Sequence, residues 1–188
     1  MGRSVGITRA QIVAVAATIA DNAGLDQLTL AQVAAHLHVK LPSLYNHIDG
    51  LQGLRRELML LGAQQLGAAF ARAAIGKAGD EAVLAMAQAY RDFVLDRPGL
   101  YAASVRAPAA ADEEHQALAR ATLEVVLAVL APYRLAEDEA IHAVRGLRSI
   151  AHGFATLEQA GGFGYTLDRD ESFLRLVRAY IAGLRRQA

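Results

Sequence analysis

The sequence predicts an all-α protein. A small three-helix head over residues 1–50 precedes a larger helical body over 51–188, with about nine helices in all. Three observations carry this. The 188 residues are 54% hydrophobic, much of it alanine, with only four prolines. That composition favours helix nearly throughout. Apolar residues recur at three- and four-residue spacing, and the β-branched alternation of a strand is absent. Finally, Thr8 with Gln11 and Thr29 with Gln32 form the Thr-x-x-Gln pattern of a capping box, in which each side chain satisfies a backbone N–H of the other.

In chain order, residues 1–7 predict a loose arm rich in Gly, Ser and Arg. Thr8 opens a first helix with Ile12, Val15, Ala16 and Ile19 toward the core, and Gly24 ends it. Thr29 opens a second, with Leu30, Val33, Ala34 and Leu37 at helical spacing. His38 and Val39 interrupt the pattern, and a short third helix begins near Lys40 and Leu41. Pro42 is tolerated in its first turn, where no intrahelical bond is lost. Leu44 and Ile48, four residues apart, form its inward face.

A long helix is predicted over 51–75, with Leu54, Leu58, Leu61, Leu66 and Phe70 on its apolar face. Arg55 and Arg56 lie in its first turns, either to reach phosphates or as a solvated basic face. A helix over 80–96 carries Val83, Met86, Ala87, Tyr90, Phe93 and Val94 on one side, and Arg97-Pro98-Gly99 breaks it. Short helix over 100–105, loop around Pro108, then a helix over 112–130 begun by three acids that suit its N-terminal dipole. Two last helices are predicted over 137–160 and 168–186.

Residues 28–54 thus read as two short helices joined by a tight turn with apolar faces inward, the layout of a helix-turn-helix. The outward residues of its second helix are Lys40, Leu41, Pro42, Ser43, Tyr45, Asn46 and His47. They supply a cation, hydroxyls, an amide and an imidazole able to reach phosphates or base edges. The competing reading is an ordinary helical hairpin.

Leu28-Thr29, Val33-Ala34, Val39 and the run Pro42-Ser43-Leu44-Tyr45-Asn46-His47-Ile48 resemble the DNA-binding domain of the TetR/AcrR family of transcriptional repressors. The resemblance implies a three-helix DNA-binding head followed by an all-α ligand-binding and dimerisation domain. It places a Leu-Tyr-x-His segment in the recognition helix. Family members commonly carry a phosphate-binding Lys where this chain has Leu51, and a Gly in the turn where it has His38. Further on, Arg145 to Phe173 resembles the C-terminal domain of a subgroup named for a Trp-His-Gly motif, with Ala151-His152-Gly153 in that place. Phe154, Leu157, Glu158, the Gly161-Gly162-Phe163-Gly164 run and Asp170-Glu171-Ser172-Phe173 fit that pattern.

Gly146 and Gly153 lie seven apart on one helix face, bordered by Leu147, Ile150, Phe154 and Leu157. Phe173, Leu176, Val177, Tyr180, Ile181 and Leu184 line the last helix. Two such helices from each of two chains would form a four-helix homodimer seam, the arrangement a palindromic operator requires. Alternatively these faces bury within one chain.

The formal net charge is +0, and residues 1–50 set Arg3, Arg9 and Lys40 against Asp21, Asp26 and Asp49. A basic footprint is the usual sign of a DNA binder, so this balance predicts weak non-specific binding. Cysteine is absent, which excludes disulfides and thiol chemistry and suits a cytoplasmic location. The first residues lack an apolar signal region, and no uninterrupted apolar run approaches a membrane span.

No metal, cofactor or catalytic site is expected. Glu139-x-x-His142 is a single copy of a motif that di-metal bundles use twice, and His36-x-His38 sits at a helix end. The Gly161–164 cluster follows a helix and lacks a Lys-Ser/Thr partner, so it reads as a helix-ending turn. Ser149 and His152 lack the surroundings of an activated nucleophile. The family resemblance places an effector pocket in the body, and Met59, Met86, Tyr90, Phe93, Tyr101, His115 and His152 are its candidate lining, suited to a small, mostly apolar molecule. Each is equally readable as core.

The resulting expectation is a homodimeric, ligand-responsive regulator of double-stranded DNA, acting as a repressor, with Thr29, Lys40, Ser43, Tyr45 and His47 on phosphates and Leu41, Pro42, Ser43 and Asn46 on base edges. A helical small-molecule-binding dimer without DNA binding is the alternative, motivated by the charge balance and Leu51.

Overall fold

The computed structural model describes residues 6–186; the arm expected over 1–7 falls, for residues 1–5, outside them. Among the described residues the chain is helical, with no strand. Nine helices are α1 (Arg9–Ala23), α2 (Leu30–His36), a 3-10 helix (Leu41–Asn46), α3 (Gly50–Ala74), α4 (Gly79–Asp96), α5 (Pro98–Ser104), α6 (Glu113–Leu130), α7 (Glu137–Gln159) and α8 (Arg169–Leu184). Single 3-10 turns add Leu25–Gln27 and Ala131–Tyr133. The residues group into two compact units, Met1–Gln64 with Arg97–His115, and Gln65–Asp96 with Gln116–Ala188. These are units of packing, whereas the boundary expected at residue 50 is one of function.

In the first unit both capping boxes form. The Gln11 N–H donates to Thr8 Oγ1 at 3.2 Å while the Thr8 N–H donates to Gln11 Oε1 at 2.9 Å. Thr29 and Gln32 repeat this at 3.3 and 2.9 Å. Ile12, Ala16, Ile19, Leu28, Val33, Leu44, Leu54, Leu58 and Leu100 are buried. In α1 it is Val13 that is buried, and the expected core residue Val15 is half-buried. The reason is tertiary: α5 closes over the side of α1 that carries Ala20, and a Cβ on Gly99 would fall 2.2 Å from the Ala20 carbonyl carbon. Asp21 fixes that approach. Its carboxylate accepts the N–H of Gly99 at 2.9 Å and of Leu100 at 3.1 Å, orphan donors of the α5 start, and Arg97 Nε at 2.7 Å.

In the second unit the expected stripe of α4 is buried: Val83, Met86, Ala87, Tyr90, Phe93 and Val94. Against it lie Ala143, Leu147, Ala151 and Ala155 of α7, a four-residue repeat, and Phe173, Val177, Ile181 and Leu184 of α8. The two glycines of α7 part company. Gly146 lies under the Tyr180 ring, where a Cβ would meet the phenol oxygen at 2.4 Å, and that hydroxyl donates to the Ala143 carbonyl at 2.8 Å. Gly153 has nothing within 4 Å. At the far end of the unit, Tyr133 donates to Asp80 at 2.7 Å, and burial first, then that bond, pushes its phenol pKa well up.

Glu113–Tyr133 is the one stretch among the described residues long and apolar enough to cross a membrane by length and composition. A search for uninterrupted apolar runs passes over it, because charged residues break it. Glu113, Glu114, Arg120 and Glu124 along its length fit a helix on a globular unit better than one in lipid.

Candidate nucleic-acid interface

The segment after α2 is built from short-range bonds. Val39 N–H donates to the Ala34 carbonyl at 3.0 Å and His38 N–H to Ala35 at 3.1 Å, the two bonds of a Schellman turn. His38 stands at φ 54, in the left-handed region that usually takes glycine. From there the chain enters the 3-10 helix Leu41–Asn46, with Pro42 in its first turn. The expected short helix is present but wound more tightly.

Its two faces separate cleanly. Leu44 is fully buried and Ile48 nearly so, whereas Lys40, Leu41, Pro42, Tyr45 and Asn46 are exposed and Ser43 and His47 half-buried. Tyr45 is 57% exposed and Leu41 38%, costly positions for large apolar groups unless something covers them. Among the described residues no hydrogen bond engages the side chains of Lys40, Ser43, Tyr45, Asn46 or His47. Thr29 differs: its hydroxyl is engaged within the capping box, donating to Gln32 Oε1 at 2.9 Å.

Arg55 and Arg56, given two readings by sequence, are both engaged within the first unit. Arg56 forks onto Asp112, Nε to Oδ2 at 3.0 Å and NH2 to Oδ1 at 2.8 Å, and also reaches Glu114 at 3.0 Å. Those bonds hold the Asp112 carboxyl below the usual carboxylate range, helped by the His115 N–H. Arg55 donates to the Leu25 carbonyl at 3.5 Å and lies 3.9 Å from Asp26.

The effector-pocket candidates divide between the units. Tyr101 and His115 are buried and Met59 half-buried in the first; Met86, Tyr90 and Phe93 are buried and His152 half-buried in the second. Met86, Tyr90 and Phe93 share one face of α4, and Tyr90 stacks on Phe70 at 5.8 Å. His115 is the unusual member: its Nδ1 is buried without a hydrogen-bond partner, which a core imidazole normally avoids. A cavity of about 370 Å³ in the second unit is lined by other residues, among them Phe154, Phe163, Tyr165 and Leu167.

Sequence reasoning missed Arg91. It sits on the buried side of α4, 3% exposed, and forks onto Glu158 of α7 at 2.7 and 2.9 Å while reaching Asp170 of α8 at 2.7 Å. Its guanidinium lies 5.5 and 5.3 Å from the ring centres of Phe154 and Phe173. These carboxylates and rings belong to the motif residues noted around 154–173. The available signal was spacing: Arg91 falls four residues after Ala87 and three before Val94, within the apolar stripe of α4.

Residues 83–180 match the family model of a tetracyclin repressor-like C-terminal domain. The chain is similar to the HTH-type transcriptional regulator YobS of Bacillus subtilis (strain 168), 36% identical over 98% of this chain and 96% of that one. It is likewise similar to the HTH-type transcriptional regulator Rv0681 of Mycobacterium tuberculosis (strain ATCC 25618 / H37Rv), 37% identical over 100% of this chain and 86% of the relative. Among solved structures, TetR-Q116A of Acinetobacter baumannii AYE, in complex with minocycline, shares the fold with a TM-score of 0.72 at 21% identity, over 97% of this chain and 99% of that one.

Proposed function

The chain belongs to the TetR family of transcriptional regulators, which are not enzymes, and on that premise we propose that it is a homodimeric repressor released from a palindromic operator by a small, mostly apolar effector. Residues 1–50 are the reading head and 51–188 the effector and dimer domain. Lys40, Tyr45 and His47, with Thr29 and Ser43, hold phosphates; Leu41, Pro42, Ser43 and Asn46 meet base edges. Acting on DNA, it works in the cytoplasm.

The observation that carries this reading is the split of the 3-10 helix. Leu44 and Ile48 anchor it inward, and a row of unengaged polar groups and exposed apolar side chains stands outward. A groove-reading element needs both. Of the seam residues expected, Leu147, Phe173, Val177, Ile181 and Leu184 are buried within one chain, and the seam is supported by the exposed Leu157 and Leu176, with Tyr165 and Leu167 exposed between α7 and α8. Gly153 leaves open space on the same surface for a partner helix. Met86, Tyr90 and Phe93, buried on one face of α4, support a small, mostly apolar effector. Membership of the Trp-His-Gly subgroup rests on the residues around His152.

Selection of bound DNA from a random duplex pool, with purified dimer at low salt, tests the reading. A recovered palindrome supports it, and Tyr45→Ala and Asn46→Ala should each weaken specific binding by about 1–3 kcal/mol. Unchanged specific binding in both variants would refute the assignment of the reading face.

A further inference from the structure

Residues 6–64 carry four side-chain cations of lysine or arginine, Arg9, Lys40, Arg55 and Arg56, against four acids, Asp21, Asp26, Asp49 and Glu57. The arginines are committed inside the unit. Arg9 donates to Glu57. Arg56 is held by Asp112 and Glu114; Arg55 is held more loosely, by a 3.5 Å bond to the Leu25 carbonyl beside Asp26, and its buried Nε has no partner. Arg97, in the same unit, is bound to Asp21; Arg106, in the loop after α5, is exposed and without a hydrogen bond or ion pair among the described residues, and is therefore included in the test below. Within residues 6–64 Lys40 stands apart: it is exposed, immediately precedes the 3-10 helix, and has no hydrogen bond or ion pair among the described residues. The groups beside it on the outward face, Ser43, Tyr45, Asn46 and His47, are hydroxyl, phenol, amide and imidazole.

Resting on the DNA-binding reading above, we propose that, among the side-chain cations of residues 6–64, Lys40 is the one through which each head engages DNA phosphate. Arg9, Arg55 and Arg56 are structural, and the operator is held chiefly by neutral donors and apolar contact. The consequence is a repressor whose affinity draws little on counterion release. A guanidinium already forked onto a carboxylate would have to exchange that partner for a phosphate, an exchange of like for like that releases no net charge pairing. A free ammonium has no such partner to lose. Two Lys40 side chains per dimer neutralise about two phosphates, so log K should fall against log salt with a slope near −2, at about −0.9 per contact. Proteins making 6–10 such contacts lose roughly 10³ to 10⁵ in affinity between about 50 and 200 mM salt; here the loss should be about tenfold.

The test is a salt series of anisotropy titrations, using the full-length dimer and a duplex recovered by selection. Wild type should show the shallow slope, and Lys40→Gln should flatten it nearly to zero. Arg9→Gln, Arg56→Gln and Arg106→Gln, each checked for helicity and dimer mass, should keep the wild-type slope. A wild-type loss of a thousandfold or more over that range overturns the proposal, as does any of those arginine variants flattening the slope as Lys40→Gln should. Should an arginine variant fail to fold, the wild-type slope and Lys40→Gln decide alone. Failure of a folded dimer to recover any duplex is a different result, which removes the DNA-binding reading itself.

Discussion

Arg56 in the first unit and Arg91 in the second are bound in the same way. Each forks two nitrogens onto one carboxylate, Asp112 or Glu158, and reaches a second acid, Glu114 or Asp170. Their settings differ. The Arg56 side chain is 41% exposed and that of Arg91 is 4%, with Glu158 at 10% and two phenyl rings nearby. In water the partners of Arg56 can be exchanged for solvent at small cost. In the interior Arg91 and Glu158 keep only an outlying second partner each, Asp170 at 2.7 Å and Arg169 at 3.7 Å, both at the exposed edge, so removing one leaves the other poorly compensated. Identical chemistry therefore trims a surface in one place and is a condition of folding in the other, and burial decides which.

Breaking the inner fork is the largest effect expected. Arg91→Leu leaves Glu158 only the half-exposed Arg169 at 3.7 Å and should cost about 3 kcal/mol in urea unfolding. Arg91→Leu combined with Glu158→Leu should recover a substantial part of that, since paired apolar replacement of a buried ion pair is often close to neutral. If the double variant is as unstable as the single one, the stranded-charge account is wrong.

The first unit is not weak where it is buried, and Gly99→Ala sharpens that point. The new methyl would press on the Ala20 backbone, which has no rotamer to yield, and stability should fall by about 1–3 kcal/mol. A loss under half of that would show that α5 can slide on α1. Local strain comes next. His38→Gly relieves a left-handed backbone and should raise the unfolding midpoint, by roughly 0.5–1 kcal/mol. No gain would mean that the ring makes a compensating contact in solution.

The smallest effect belongs to the outer fork. Arg56 lowers the Asp112 pKa, so this pair stabilises the fold above the unfolded carboxyl value, about 3.9. The contribution is lost as pH falls through the lower folded value. Near neutrality Asp112→Asn should shift the thermal midpoint only slightly, and the difference from wild type should begin to shrink below about pH 4 and vanish below the lowered folded value. A large neutral-pH shift would place Arg56 alongside Arg91 and dissolve the contrast between them.

How much was legible follows the range of each interaction. The Thr8 and Thr29 boxes and the inward Leu44 and Ile48 depend on partners three or four residues away, and the chain order displays them; Pro98, read as a break ahead of a helix over 100–105, instead opens α5. The tight winding of the recognition segment was less visible, because a short helix with Pro42 suits α and 3-10 forms alike. For the candidate site, the outward row from Lys40 to His47 was legible through its period. That Arg55 and Arg56 are already engaged was not, since Asp112 and Glu114 lie more than fifty residues away.

By itself, then, the sequence determined the capped starts of α1 and α2, the apolar stripe of α4 and the outward face of the reading element. These are consequences of backbone geometry and of a 3.6-residue period. Val15 of α1, Leu61 and Leu66 of α3 and Leu176 of α8, expected in the core, are not buried. Only the tertiary structure decided which charges are spent internally, as Arg91 is on Glu158 and Asp170 across 67 and 79 residues. It also decided which glycine meets its own chain: Gly146 under Tyr180, and not Gly153. Identical residues one helical heptad apart carry the same local information, and only the packing of α8 tells them apart.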